Sequence, residues 1–312
     1  MLLREHAHGI GLHVNLYGAV RLETLFELSK RRNALSTPAT LPEFSEKLIP
    51  KAPYSLKKFT DLLEIITPLI SGKKEDLARV CNEFVEDCVK LGGLCYVETR
   101  FCPFTLTGRD FNAEEVLKTI LDSFERSSKK YNTEVRSILT IMGNAPKTAK
   151  RTLNLAKRYQ THGVVAIDVV GDDSVFGKES LAQEIVETFG QAKYYGIHRT
   201  INVGDYTSAH SIYNAVITLH PERIGHGHRI LDNNDLYNYV VNENVHFELC
   251  PSSSVITGAV NSKSSEKHPI HRFIEDNVNF SINAGDPTLT QKWNLDEAKY
   301  CLRELGLKQT QL

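Results

Sequence analysis

Residues 164–173 read Val164-Val165-Ala166-Ile167-Asp168-Val169-Val170-Gly171-Asp172-Asp173. A short apolar run rich in Val closes on a glycine and passes into acidic loop residues, the signature of a strand that leaves a sheet at a polar end. Working outward, the same kind of run recurs at Leu12 to Tyr17, Leu94 to Cys102, Val135 to Met142, His198 to Val203, Arg223 to Gly227, Val245 to Pro251 and Asn279 to Ala284. Stretches of helical period lie between them: Arg21 to Arg32, Leu56 to Ile70, Glu75 to Leu91, Ala113 to Lys130, Lys147 to Thr161, Ser180 to Tyr195, Ser208 to Leu219, Asn234 to Asn242 and Pro269 to Asp276. Eight strands alternating with helices over 312 residues predict a parallel (β/α)₈ TIM barrel, one domain spanning 1–312. An open doubly wound sheet is the alternative, but no G-x-G-x-x-G follows the first strand. Residues 33–55 are Pro-rich and poorly periodic, which predicts an elaborated first βα connection placed to lid a site at the strands' C-terminal ends.

Bulk properties exclude several functions. Lys plus Arg number 37 against 38 Asp plus Glu, with no long block of one sign, so neither a nucleic-acid track nor a membrane-surface helix is expected. The N-terminus lacks a signal-peptide core and no run nears the ~18 apolar residues of a membrane span, so a soluble, cytoplasmic protein is expected. Cys81, Cys88, Cys95, Cys102, Cys250 and Cys301 form no C-x-x-C pair and read as reduced thiols.

Chemistry in such a barrel sits where strands end. Those ends are polar here: His13-x-Asn15, Glu98-x-Arg100, Asp168 with Gly171-Asp172-Asp173, Asn202-Val203-Gly204-Asp205, His226-Gly227-His228, and Asn283-Ala284-Gly285-Asp286. Each alone reads as a solvated or hydrogen-bonded residue; together they define a site. His13 and Asn15 share one face of their strand, as two histidines gripping one metal would. The H-x-H of His6-Ala7-His8 precedes the first strand and is not expected to act.

Seven segments, GLHVNLYGAV, YVETRFCP, VVAIDVVGDD, GIHRTINVGDY, ERIGHGHRILDN, VHFELCPSSSVITGA and FSINAGDPTL, occur in that order. From about residue 10 to about residue 308 they resemble adenosine deaminase of the cellular type, an amidohydrolase-like zinc barrel that converts adenosine and water to inosine and ammonia. The resemblance implies a metal held by an H-x-H pair, a His of an H-A-G-E motif and an Asp of a D-D-P motif. The corresponding residues here are His13, Asn15, Asn202 and Gly285, so one ligand of four is kept. An amide oxygen is a poor zinc donor and glycine is none, so zinc binding is expected to be lost or weak.

The resemblance further assigns proton transfer to Asp205, where the family has Glu, and base chemistry to His226. It places the purine against the Gly171 N–H and the Asp286 carboxyl, and puts Tyr17 where the family has an Asp facing the ribose. The five site changes are each reachable by one nucleotide substitution while the surrounding motifs persist, which points to loss or repurposing of the site. The family also continues past the end of this chain, an absence expected to expose apolar surface. Adenosine or a related purine nucleoside is the expected partner, and the sequence names no protein partner. The expectation is an impaired homologue. The alternatives are an active deaminase recruiting Asp205, His226 and His228 as substitute ligands, and a non-enzymatic nucleoside-binding or interaction protein.

Overall fold

The computed structural model describes residues 9–32, 38–49, 56–177, 181–203, 207–261 and 267–311, with 56–60 by backbone alone. Eight parallel strands follow one another in chain order: β1 Gly9–Asn15, β2 Leu94–Phe101, β3 Glu134–Met142, β4 Val164–Val170, β5 His198–Asn202, β6 Arg223–Gly225, β7 His246–Leu249 and β8 Phe280–Ile282. Strand β4 shows why: Val164, Ala166, Ile167 and Val169 are all buried, as in a sheet with one face in the barrel and the other under helices. Register brings the strand ends level, pairing Asn15 with Arg100, Val170 with Asn202, Asn202 with Gly225, and Gly225 with Glu248.

The barrel closes at a seam between β1 and β8 made partly by a side chain. Asn283 Oδ1 accepts the N–H groups of Leu12 at 2.8 Å and His13 at 3.0 Å. Beyond it the Gly285 N–H donates to the His13 carbonyl at 3.0 Å, and the Asn15 N–H to the Gly285 carbonyl at 2.9 Å. Strand β8 therefore ends at Ile282, short of the expected Ala284, because the Asn283 amide takes over the ladder's acceptor role. Strand β7 stops at Leu249, since Pro251 has no N–H for a ladder and instead begins the helix Pro251–Thr257. Strand β1 stops at Asn15, and Tyr17 opens a short turn, Tyr17–Ala19.

The expected first connection carries a helix that its weak periodicity hid, Leu41–Leu48. A capping box starts it: Thr40 Oγ1 accepts from the Glu43 N–H at 3.4 Å while Glu43 Oε2 accepts from the Thr40 N–H at 3.3 Å. Phe44 and Leu48 are its buried residues, with the Phe44 ring 5.5 Å from that of Phe26. Residues 33–37 and 50–55 lie outside the described residues, as do His6 and His8. The six cysteines are free thiols, all buried except the half-buried Cys95. Among the described residues no helix is long and apolar enough to cross a membrane.

Candidate functional site

A cavity of about 670 Å³ opens at the C-terminal ends of the strands, within the range of small-molecule sites. Its wall includes Asn15, Tyr17, Gly171, Asn202, His226 and Asp286, six of the residues singled out in the sequence. Part of the opposite wall is Leu63, Thr67 and Pro68 of the helix Leu56–Ile70. Among the described residues this helix, which follows the 33–55 stretch, supplies that part of the wall. Asp205 lies outside the described residues.

Beneath the cavity lies a buried ionic floor. Arg100, fully enclosed, donates to Glu248 Oε2, to Asp168 Oδ1 at 3.4 Å and to Thr200 Oγ1 at 3.3 Å. Arg223 adds a second guanidinium 3.2 Å from Glu248 Oε1 and pairs with Glu98. Burial opposes ionisation of Glu248, but Arg100 and Arg223 outweigh it and hold the carboxyl well below its ordinary range. At Asp168 burial wins, raising its pKa against the pull of Arg100.

His13 stands on this floor. Its Nδ1 lies 2.9 Å from Glu248 Oε2, and burial, helped by Arg100, pushes its pKa down to about 3 despite the opposing Glu248. The ring is therefore neutral at physiological pH. With an ionised Glu248 beside Nδ1, that nitrogen carries the proton and Nε2 presents a lone pair. Nε2 is buried and has no hydrogen-bond partner among the described residues. A carboxylate orienting the far nitrogen of a histidine is the arrangement that supports a metal ligand. The ring lies across β6, where a Cβ on Gly225 would come within 2.5 Å of His13 Cε1. Only glycine leaves that space.

The other three positions where the resemblance expects metal ligands carry neither an imidazole nor a carboxylate. The Asn15 amide donates through Nδ2 to Asp286 Oδ2 at 3.0 Å. Asn202 is a second neutral amide, and Gly285 offers no side chain. At Gly285 φ is +65°, so strand alternation does not fix the direction of Asp286, which sits on the cavity wall with Asn15.

His226 follows β6 with φ +60°, a left-handed conformation that costs a non-glycine residue of order 1–3 kcal/mol and gathers at functional sites. Its backbone N–H is held by the Glu248 carbonyl at 2.9 Å, and its ring meets that of His13 edge-on at 5.0 Å between centroids. His228 opens the next turn, His228–Asp232, buried but outside the donor cluster that His13 and His226 form with Cys250. Tyr17 turns its hydroxyl to the end of β2, where it accepts from the Cys102 N–H and from Thr105 Oγ1 at 3.3 Å. The Gly171 N–H donates to the Asn202 carbonyl at 3.3 Å, so a ring bound there would share it. Sequence reasoning passed over Glu248 and Cys250; the signal for the first was a carboxylate between Phe247 and Leu249 in the strand of VHFELCP.

An eight-stranded parallel barrel with its cavity at the strand ends, over a carboxylate-oriented histidine, is a TIM barrel with its candidate site where such barrels carry chemistry. The adenosine deaminase family model matches residues 9–312, and the chain belongs to that family. It is 36% identical over 293 residues to adenosine deaminase of Bos taurus, covering 90% of this chain and 79% of that protein. Among solved structures it is similar to the N6-mAMP deaminase of Arabidopsis, with a TM-score of 0.82 at 21% identity, covering 97% and 89% of the two chains. It is similar also to an amidohydrolase with bound zinc from Burkholderia ambifaria, TM-score 0.81 at 20% identity, covering 97% and 81%.

Proposed function

We propose that this chain is a single-domain, cytoplasmic adenosine deaminase homologue that retains a purine-nucleoside cavity and is impaired in deamination. One observation carries the reading: of the four positions that hold zinc in the family, only His13 keeps a good donor, and the Asn15 amide is turned to Asp286. The cavity supports the ligand half of the proposal, since Gly171, Asp286 and His226 face the volume in which a purine would lie. Tyr17 narrows the ribose end, so free base and nucleoside should differ in affinity less than in an enzyme with the family's Asp there.

Calorimetry with adenosine and inosine, each with a parallel turnover assay, tests both halves. The reading expects heat of binding with adenosine and little conversion. No heat at millimolar ligand would overturn the nucleoside cavity and leave a protein partner as the remaining function; rapid conversion would overturn the impairment.

A further inference from the structure

We propose that the chain holds a cation of zinc type through a ligand set of its own: His13, His226 and Cys250. The three donor atoms lie within 4.8 Å of one another, and all three residues are buried. Zn–N lengths of ~2.0–2.1 Å and Zn–S of ~2.3 Å give tetrahedral donor separations of about 3.4–3.7 Å. Closing the cluster therefore needs side-chain movements of about 1 Å. A thiolate with two imidazoles is a donor set suited to Zn²⁺, and three protein ligands leave a fourth position open toward the cavity.

Two independent features point to a ligand rather than a chance grouping. His13 Nε2 is completely enclosed, lacks a hydrogen-bond partner among the described residues, and has its other nitrogen fixed by Glu248 as a metal-binding imidazole would. The second feature is Gly285. A Cβ at this position would lie 3.2 Å from the Cys250 sulfur, so the side chain that the family carries here would start against that thiol. With glycine, the sulfur faces the space from which the carboxylate is missing. The thiol thus stands in for the lost oxygen donor, and His226 supplies the second imidazole that Asn15 and Asn202 no longer provide. Enlisting His226 as a ligand also withdraws it from base chemistry, in keeping with impaired deamination.

This inference rests on the preceding reading for where ligands are missing, but its test reads metal ligation and not turnover, so either can fail alone. The chain would be stripped with chelator and titrated with Co²⁺, recording the visible spectrum and the thiolate-to-cobalt charge-transfer band, with metal per chain measured after gel filtration. The expected result is one Co²⁺ per chain, a tetrahedral spectrum and the charge-transfer band, displaced by one equivalent of Zn²⁺. Cys250→Ser should abolish the band and weaken binding at least tenfold, and His13→Gln should weaken it comparably while the other five cysteines remain. If Cys250→Ser does not fold, as judged by circular dichroism, His226→Gln gives the same reading through a shifted, weakened spectrum. Binding of Co²⁺ without the band, a band that survives Cys250→Ser, or no binding at one equivalent would each overturn the proposal.

Discussion

The floor of the barrel and its rim differ in what they retain. The floor is a complete ionic network in which Arg100 joins Glu248 and Asp168, and Glu248 orients His13. The rim carries two amides, Asn15 and Asn202, and a glycine, Gly285, at the positions where the resemblance expects metal ligands. The difference teaches that the two layers answer to different constraints. A buried guanidinium between two carboxylates cannot lose a partner without stranding a charge, so the floor is tied to folding. Asn15 and Asn202 can exchange for other polar residues at the edge of a solvent-reaching cavity with little cost, so the rim is free to change chemistry.

The largest effect should come from rebuilding the rim. The triple variant Asn15→His, Asn202→His, Gly285→Asp restores the family's ligand types over a floor that already holds His13. Metal chemistry is worth several kcal/mol of transition-state stabilisation, and at ~1.4 kcal/mol per tenfold this predicts a gain of about 10³ in adenosine kcat/KM with zinc. No gain would mean that the floor does not support the family's geometry.

Next in size is a cut through the floor. Arg100→Met leaves Glu248 and Asp168 without their buried cation, and a destabilisation of about 3–5 kcal/mol is expected. Thermal unfolding should show it as a drop of roughly 5–15 °C. A loss of under 1 kcal/mol would remove the distinction between the layers.

A third variant tests the support behind Cys250. Glu297 accepts from the Ser252 N–H at 3.1 Å and from its hydroxyl, at the start of the helix Pro251–Thr257, and burial pushes its carboxyl up to about 7 from 4.5. The folded chain then binds the extra proton between these values. That contribution to stability is complete below about 4.5 and lost as pH rises through about 7, with a slope of at most ~1.4 kcal/mol per pH unit. Denaturant unfolding against pH should show this slope in the parent chain and a flatter profile in Glu297→Gln. Smallest of all, Asn15→Ala removes only the hydrogen bond to Asp286 and should cost about 1 kcal/mol, measured the same way.

Much of this was legible in the sequence. All eight strands were found within a few residues because parallel barrel strands are near-continuous apolar runs, as in Val164–Val170. The polar strand ends named the cavity wall, Asn15, Gly171, Asn202, His226 and Asp286 among them. Strand limits at Asn283 and Gly285 were not legible, since a side-chain amide replaces ladder hydrogen bonds there and a positive φ breaks the alternation. The helix Leu41–Leu48 was missed although Thr40 and Glu43 spell its capping box, because eight residues carry too short a period. Glu248 and Cys250 escaped because their significance lies in neighbours far along the chain: His13 is 235 residues from Glu248. Thiols in apolar runs look alike until the fold shows which one faces two histidines.

The most direct test of the account is adenosine-to-inosine turnover by the zinc-saturated chain under saturating substrate. Impairment predicts a rate at least about a hundredfold below 1 s⁻¹, the lower end of ordinary enzyme turnover. Turnover at or above ~1 s⁻¹ would contradict it, and would mean that the altered rim still assembles a working deaminase.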